Sequence, residues 1–135
     1  MGTGTHLGRV RGLGSAHEGT HHWWHQRLTA GSNLFLMLWF LVSLARLPGY
    51  DYQSLHSWLQ SPWAAIPMIL LIVSVFYHFR LGLQVVIEDY QHGEHRVVAM
   101  VLLNLFVVAT AAIAIFAILK VAFTAAAVAT TGAPA

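Results

Sequence analysis

A single histidine, His78, lies in the middle of a long apolar stretch and is followed at helical spacing by residues that form one surface. At about 100° per residue, His78, Gly82, Val85 and Asp89 share one stripe of a helix. An ionisable side chain inside a membrane span is unfavourable and usually functional. A neutral imidazole above a glycine, which leaves room for a flat ring, is typical of a haem-iron ligand. The alternative is a structural histidine that hydrogen-bonds to a neighbouring helix.

The same segment ends in an acid–tyrosine pair, Asp89–Tyr90, about 18 Å along the helix axis from His78. A tyrosine hydroxyl donates a hydrogen bond of the kind that a quinone carbonyl accepts. A carboxylate beside it can relay the protons that quinone reduction consumes. The alternative is an ordinary helix end whose tyrosine belongs to the interfacial aromatic belt.

Arg27 closes an aromatic and basic collar, residues 21–27, in front of the first apolar segment. Its guanidinium is suited to a charge-assisted bond with a haem propionate or a quinone oxygen. The alternative is an anchor on the basic side of the membrane. No second histidine is expected within a span, so a bis-histidine haem would take its other ligand from another chain.

The composition predicts an all-α integral membrane protein. Of the 135 residues, 57% are hydrophobic and 9% are charged, whereas soluble domains carry about 25% charged residues. Three apolar segments, 28–47, 62 to 87–90 and 97–123, are long enough to cross a bilayer of about 30 Å, and a short surface helix is expected near 53–60. The absence of cysteine excludes thiolate ligands, and the lack of a Lys/Arg cluster argues against nucleic acid as a partner.

Three regions are expected along the chain: a flexible N-terminal arm (1–20), a three-helix membrane anchor (21–123) and a low-complexity tail (124–135). The first twenty residues hold no apolar segment typical of a cleavable secretory signal. Basic residues predict the orientation, because they are enriched in cytoplasmic loops. Four lie on the side of the N-terminus and second loop and two on the other, which predicts a cytoplasmic N-terminus and a C-terminus outside: Arg9, Arg11, Arg27 and Arg96 against Arg46 and Lys120.

Two motifs carry a family resemblance: Arg-Leu-Thr-Ala at 27–30 and His-x-x-x-Gly-x-Gln-x-x-x-x-Asp-Tyr at 78–90. Over about residues 21–123 the chain resembles the hydrophobic membrane anchor subunit of succinate dehydrogenase, respiratory complex II. The resemblance implies that His78 is an axial ligand of a haem b shared with a second membrane anchor subunit. It also implies that Tyr90 contacts ubiquinone, with Asp89 beside that site.

The resemblance further implies a non-catalytic anchor, embedded in the lipid bilayer, with no succinate site of its own. Iron–sulfur and flavoprotein subunits would dock on its cytoplasmic side, in a bacterial inner membrane rather than a mitochondrial one. One alternative is the anchor of a fumarate reductase-type complex, although a di-haem anchor would need more intramembrane histidines. Another is a small structural or transport protein, for which polar residues in several spans or an internal repeat would be expected.

Overall fold

The computed structural model describes residues 5–6 and 19–131, with side chains up to Thr124. Residues 19–131 form four helices: α1 (Gly19–Ala45), α2 (Tyr52–Gln60), α3 (Pro62–Tyr90) and α4 (Glu94–Thr131). No strand occurs in these residues, so the all-α prediction is confirmed. Most of the predicted arm lies outside the described residues.

Three of the four helices are long and apolar enough to cross a membrane: Gly19–Ala45, Pro62–Tyr90 and, within α4, Glu94–Thr124. The shortest has 27 residues, or about 40 Å at 1.5 Å per residue, which exceeds a hydrocarbon core of about 30 Å. The protein is therefore a multi-pass membrane protein, as its hydropathy predicts. Helix α3 lies in the middle, because α1 and α4 both pack against it and, in the described part of the chain, do not pack against each other.

Helix α1 begins earlier than the sequence predicts. The collar at 21–27 forms its first two turns instead of preceding it. Residues 20–30 contain neither proline nor glycine, so nothing interrupts the backbone hydrogen bonds there. The helix ends at Ala45, just before Pro48 and Gly49. This extension brings the collar histidines alongside α3.

Helix α2 is the predicted short surface helix, and its first turn is capped by Asp51. The Ser54 amide donates to Asp51 Oδ2 at 3.2 Å and the Ser54 hydroxyl to Oδ1 at 2.7 Å. These bonds favour the ionised carboxylate and hold the pKa of Asp51 below its usual value. Trp58 of α2 stacks on Trp39 of α1, with ring centroids 6.2 Å apart, which joins the two helices at this end of the molecule.

The turn between α3 and α4 is shorter than predicted, because α4 already begins at Glu94. Gly93 has a φ of +63°, the left-handed conformation that glycine adopts without a steric penalty. At its other end α4 continues to Thr131, beyond the expected limit at Phe123.

Few side chains are buried in the part of the chain that the structure describes. They line the two seams on either side of α3: Ala64, Ala65, Leu71, Leu81, Leu103, Val107, Ile118 and Thr29. Helix α1 contributes only Thr29 to this set and leaves Phe35 74% exposed. Lipid or other protein must cover such a surface, since large apolar patches in water are unfavourable.

Candidate functional site

His78 lies on the face of α3 that packs against α1. Its Nδ1 is 2.9 Å from the hydroxyl oxygen of Thr29, and its half-buried ring makes no other hydrogen bond among the described residues. The structure therefore contains the interhelical hydrogen bond expected of a structural histidine. It also leaves Nε2, the nitrogen on the far side of the ring, without a partner in the described residues, so the bond is compatible with a ligand role.

Thr29 is the buried polar residue of this seam, with 8% of its surface exposed. Its hydroxyl lies 2.7 Å from the carbonyl oxygen of His25 and 3.1 Å from that of Gln26, one turn earlier on α1. His25 in turn bonds through Nδ1 to the hydroxyl of Tyr77 at 2.8 Å. Two neighbouring residues of α3 are thus tied to two residues of α1 four positions apart, which fixes the register of the helices at His78.

The space beside Gly82, predicted to accept a flat ring, faces the side chain of Gln26. A Cβ built on Gly82 would lie 3.5 Å from Gln26 Nε2, an ordinary van der Waals contact. Gln26 Oε1 is buried and has no hydrogen-bond partner in the described residues. An unpaired buried amide oxygen is unfavourable, so this side chain is available to a polar group that enters the seam.

Beside the His78 seam the two helices enclose an open groove of about 950 Å³. The first turns of α1 form one wall and the last turns of α3 the other. The lining is mixed, with basic, acidic and amide side chains beside small apolar ones: His21, His22, Trp23, His25, Gln26, Arg80, Leu81, Gly82, Gln84, Val85, Glu88 and Gly19. Its size and polarity suit the head group of an organic ligand.

Arg80 is the cation of this groove and lies within the span formed by α3. Its Nε donates to the side-chain oxygen of Asn104 on α4, and Asn104 Nδ2 donates to the carbonyl of Met100 at 2.8 Å. Arg80 forms no salt bridge with a carboxylate in the described residues. The groove residue Glu88 is paired with Arg96 instead, at 3.4 Å. The remaining guanidinium donors are therefore free to meet an anionic group.

Asp89 and Tyr90 lie where the sequence places them, at the last turn of α3. Both are exposed, Tyr90 by 78%, and neither side chain makes a hydrogen bond within the described residues. Their neighbour Glu88 lines the groove, so the pair stands at its outer edge and not within it.

Arg27 is not brought into the groove. Its guanidinium carbon lies 4.5 Å from the ring centroid of Trp23, in a cation–π contact on the exposed side of α1. Arg27 and Thr29 are separated by about 200° around the helix, so Arg27 faces away from α3. Within this chain the structure brings His78 together with Thr29, places Gln26 and Arg80 in the adjoining groove, and leaves Arg27 apart.

Sequence reasoning missed Thr29, Gln26 and Arg80 as members of the site. The signal for Thr29 was present in the Arg-Leu-Thr-Ala motif, where the charged arginine is the more conspicuous residue. Arg80 carried the same signal as His78, an ionisable side chain within a span. Among the described residues no group of three metal-ligating side chains occurs, so His78 stands as a single donor.

The chain is similar to known membrane subunits of one enzyme family. The family model described as succinate dehydrogenase/fumarate reductase transmembrane subunit matches residues 1–130. The succinate dehydrogenase hydrophobic membrane anchor subunit of Paracoccus denitrificans is 32% identical over 82% of this chain and 86% of its own length. That of Rickettsia bellii is 37% identical over 61% of this chain and 66% of its own length. The membrane anchor subunit of Reclinomonas americana is 31% identical over 67% and 79%, respectively. No solved structure matches significantly.

Proposed function

Because the chain belongs to the succinate dehydrogenase/fumarate reductase transmembrane subunit family and is a membrane anchor subunit of succinate dehydrogenase, we propose that it co-ligates a haem b and contributes to a ubiquinone site. The relatives named above include anchor subunits of the bacteria Paracoccus denitrificans and Rickettsia bellii. The bacterial inner membrane is the proposed location, with the N-terminus on the cytoplasmic side.

The observation that carries the haem proposal is the position and hydrogen bonding of His78. The ring lies within the span of α3, is held from one side by Thr29 and keeps Nε2 without a partner in the described residues. Gly82, one turn along the same stripe, adds no side chain of its own, and Arg80 offers guanidinium donors suited to a propionate. When bound, a b-type haem supplies a one-electron redox centre inside the membrane.

The proposed haem site needs a second axial ligand from another subunit. A six-coordinate b-type haem needs two axial ligands, and the span formed by α3 contains one histidine, His78. Among the other described histidines, His25 is bonded to Tyr77 and His56 to Gln60 on α2. His21 and His22 line the groove from the first turn of α1, about 10–12 Å along that helix from Thr29, the residue that contacts His78. The second ligand is therefore proposed to come from a second membrane anchor subunit. The exposed apolar surface of α1 is the surface such a partner would cover.

Replacing His78 with leucine in the assembled complex tests the haem role. We expect the reduced-minus-oxidised spectrum to lose its b-type α-band, because leucine removes the axial nitrogen and keeps an apolar side chain. His56→Leu is the matched control, since the same substitution then falls on α2, outside the spans. An unchanged six-coordinate haem in His78→Leu would exclude the proposal.

The proposed quinone site lies at the outer edge of the groove, with Tyr90 as hydrogen-bond donor and Asp89 as proton relay. Tyr90 is about 18 Å from His78 along α3, which continues unbroken between them. We propose that the phenol lies near the membrane surface, where peripheral iron–sulfur and flavoprotein subunits would deliver electrons. Arg27 also stays a proposed contact, although in this chain it stacks on Trp23.

Tyr90→Phe keeps the ring and removes the donor. A neutral hydrogen bond contributes about 0.5–1.5 kcal/mol, so the succinate-to-quinone rate should fall about two- to twelve-fold. Succinate oxidation by a dye that bypasses the quinone should persist. Tyr50→Phe is the control, because Tyr50 is a similarly exposed tyrosine in the loop between α1 and α2. Equal quinone rates in both variants would reduce Tyr90 to a member of the aromatic belt.

A further inference from the structure

We infer that Thr29 is the positioning residue for His78: its hydroxyl accepts a hydrogen bond from Nδ1–H, so that the neutral imidazole presents the lone pair of Nε2 to the haem iron. The inference rests on the proposed ligand role of His78. Its own evidence is that the buried Thr29 hydroxyl lies within hydrogen-bond distance of three atoms: the carbonyl oxygens of His25 and Gln26 and Nδ1 of His78.

Counting protons fixes the direction of the bond between the two side chains. A threonine hydroxyl has one proton to donate and two lone pairs. The carbonyl oxygens of His25 and Gln26, at 2.7 and 3.1 Å, can only accept, so the Thr29 proton goes to them. Were it to point at His78 instead, the hydroxyl and carbonyl oxygens would face each other at 2.7 Å without a proton between them.

The imidazole must therefore donate. With Nδ1 protonated and bonded to Thr29 at 2.9 Å, a neutral His78 carries its lone pair on Nε2. This tautomer points the donor atom away from α1. The hydrogen-bond network thus selects the ring state that a metal ligand needs, before any ligand binds.

The position of Thr29 is itself well fixed. The residue is buried, its side chain is branched at Cβ and restricted in rotation, and its hydroxyl is bonded back to the preceding turn of its own helix. The neighbouring bond between His25 and Tyr77 holds the same turns of α1 and α3 together. A hydrogen-bonded partner of this kind also raises the basicity of the ligating imidazole.

The matched experiment compares Thr29→Val with Thr29→Ser in the assembled, haem-loaded complex. Valine keeps the shape and removes the hydroxyl, whereas serine keeps the hydroxyl and removes a methyl group. We expect valine to weaken haem retention by about 10- to 100-fold, measured as haem transfer to excess apomyoglobin. The haem midpoint potential should also move to a more positive value, because a less basic imidazole stabilises the ferric ion less. Serine should resemble the unmodified complex in both measurements.

Two outcomes would overturn the inference. One is a Thr29→Val complex with unchanged potential and haem retention; the other is equal loss in Val and Ser, which would assign the effect to packing. Should the valine variant not assemble, Thr29→Ala against Thr29→Ser decides the same question, since these two differ only by the hydroxyl. If His78→Leu loses the haem and Thr29→Val changes nothing, only the positioning role of Thr29 is rejected. If His78→Leu retains the haem, the proposed ligand role of His78 is rejected as well.

Discussion

The bond between Arg80 and Asn104 should be a main contributor to the packing of α4 against α3. Asn104→Leu removes the acceptor and leaves the guanidinium within a membrane span without a described partner. Hydrogen bonds to charged groups contribute about 1.5–3 kcal/mol, whereas interhelical bonds in membranes average about 0.6 and reach about 1.7 kcal/mol. We therefore expect a destabilisation of about 1–3 kcal/mol.

A double-mutant cycle isolates this bond from general packing. Arg80→Met removes the donor and keeps much of the length of the side chain, and the double variant should lose less stability than the two single variants added together. The expected coupling is about 0.6–1.7 kcal/mol. The assay is resistance of the assembled complex in mild detergent to titrated sodium dodecyl sulfate, with the integrity of the anchor followed by gel electrophoresis.

Thr110→Val is the control for polar-to-apolar change on the same helix, because the Thr110 side chain makes no hydrogen bond within the described residues. It should shift stability by less than about 0.5 kcal/mol. A coupling energy near zero, or Asn104→Leu no worse than this control, would show that the bond contributes nothing to the packing of α4.

Two further predictions concern the ends of helices. Gly93→Ala should destabilise the turn between α3 and α4 by about 1 kcal/mol, because a Cβ is unfavourable at a φ of +63°; a thermal melt of the complex unchanged by the substitution would contradict this. The capping bond of Asp51 gives a pH dependence, since its folded-state pKa is lowered by Ser54. The stabilisation is complete above the unfolded pKa and is lost as the pH falls through the folded one. Amide exchange of α2, corrected for the intrinsic rate, should show this loss in the native chain and not in Asp51→Ala.

Hydropathy and local signals were enough to predict the helices. The three spans, the short helix α2 and the end of α3 at Tyr90 follow from apolar length and from the prolines and glycines between segments. The start of α1 was predicted too late. The residue types of the collar are those of an interfacial segment, whereas its backbone simply continues the helix.

The candidate site was only partly predictable, because its contacts depend on how two helices are offset along their axes. His78 is recognisable alone, as a histidine within a span. Its partner Thr29 lies 49 positions earlier in the chain, and no periodicity in either helix reveals which residues face each other across the seam. The same offset places Gln26 beside Gly82, and rotation around α1 carries Arg27 to the other side.

The most direct test of the proposed function is to isolate the tagged chain from its own membranes in mild detergent and to measure what accompanies it. We predict a second membrane anchor subunit, an iron–sulfur subunit and a flavoprotein subunit in equal amounts, together with one b-type haem that the His78→Leu chain fails to retain. Isolation of the tagged chain alone, without haem and without succinate dehydrogenase activity, would contradict the proposed function.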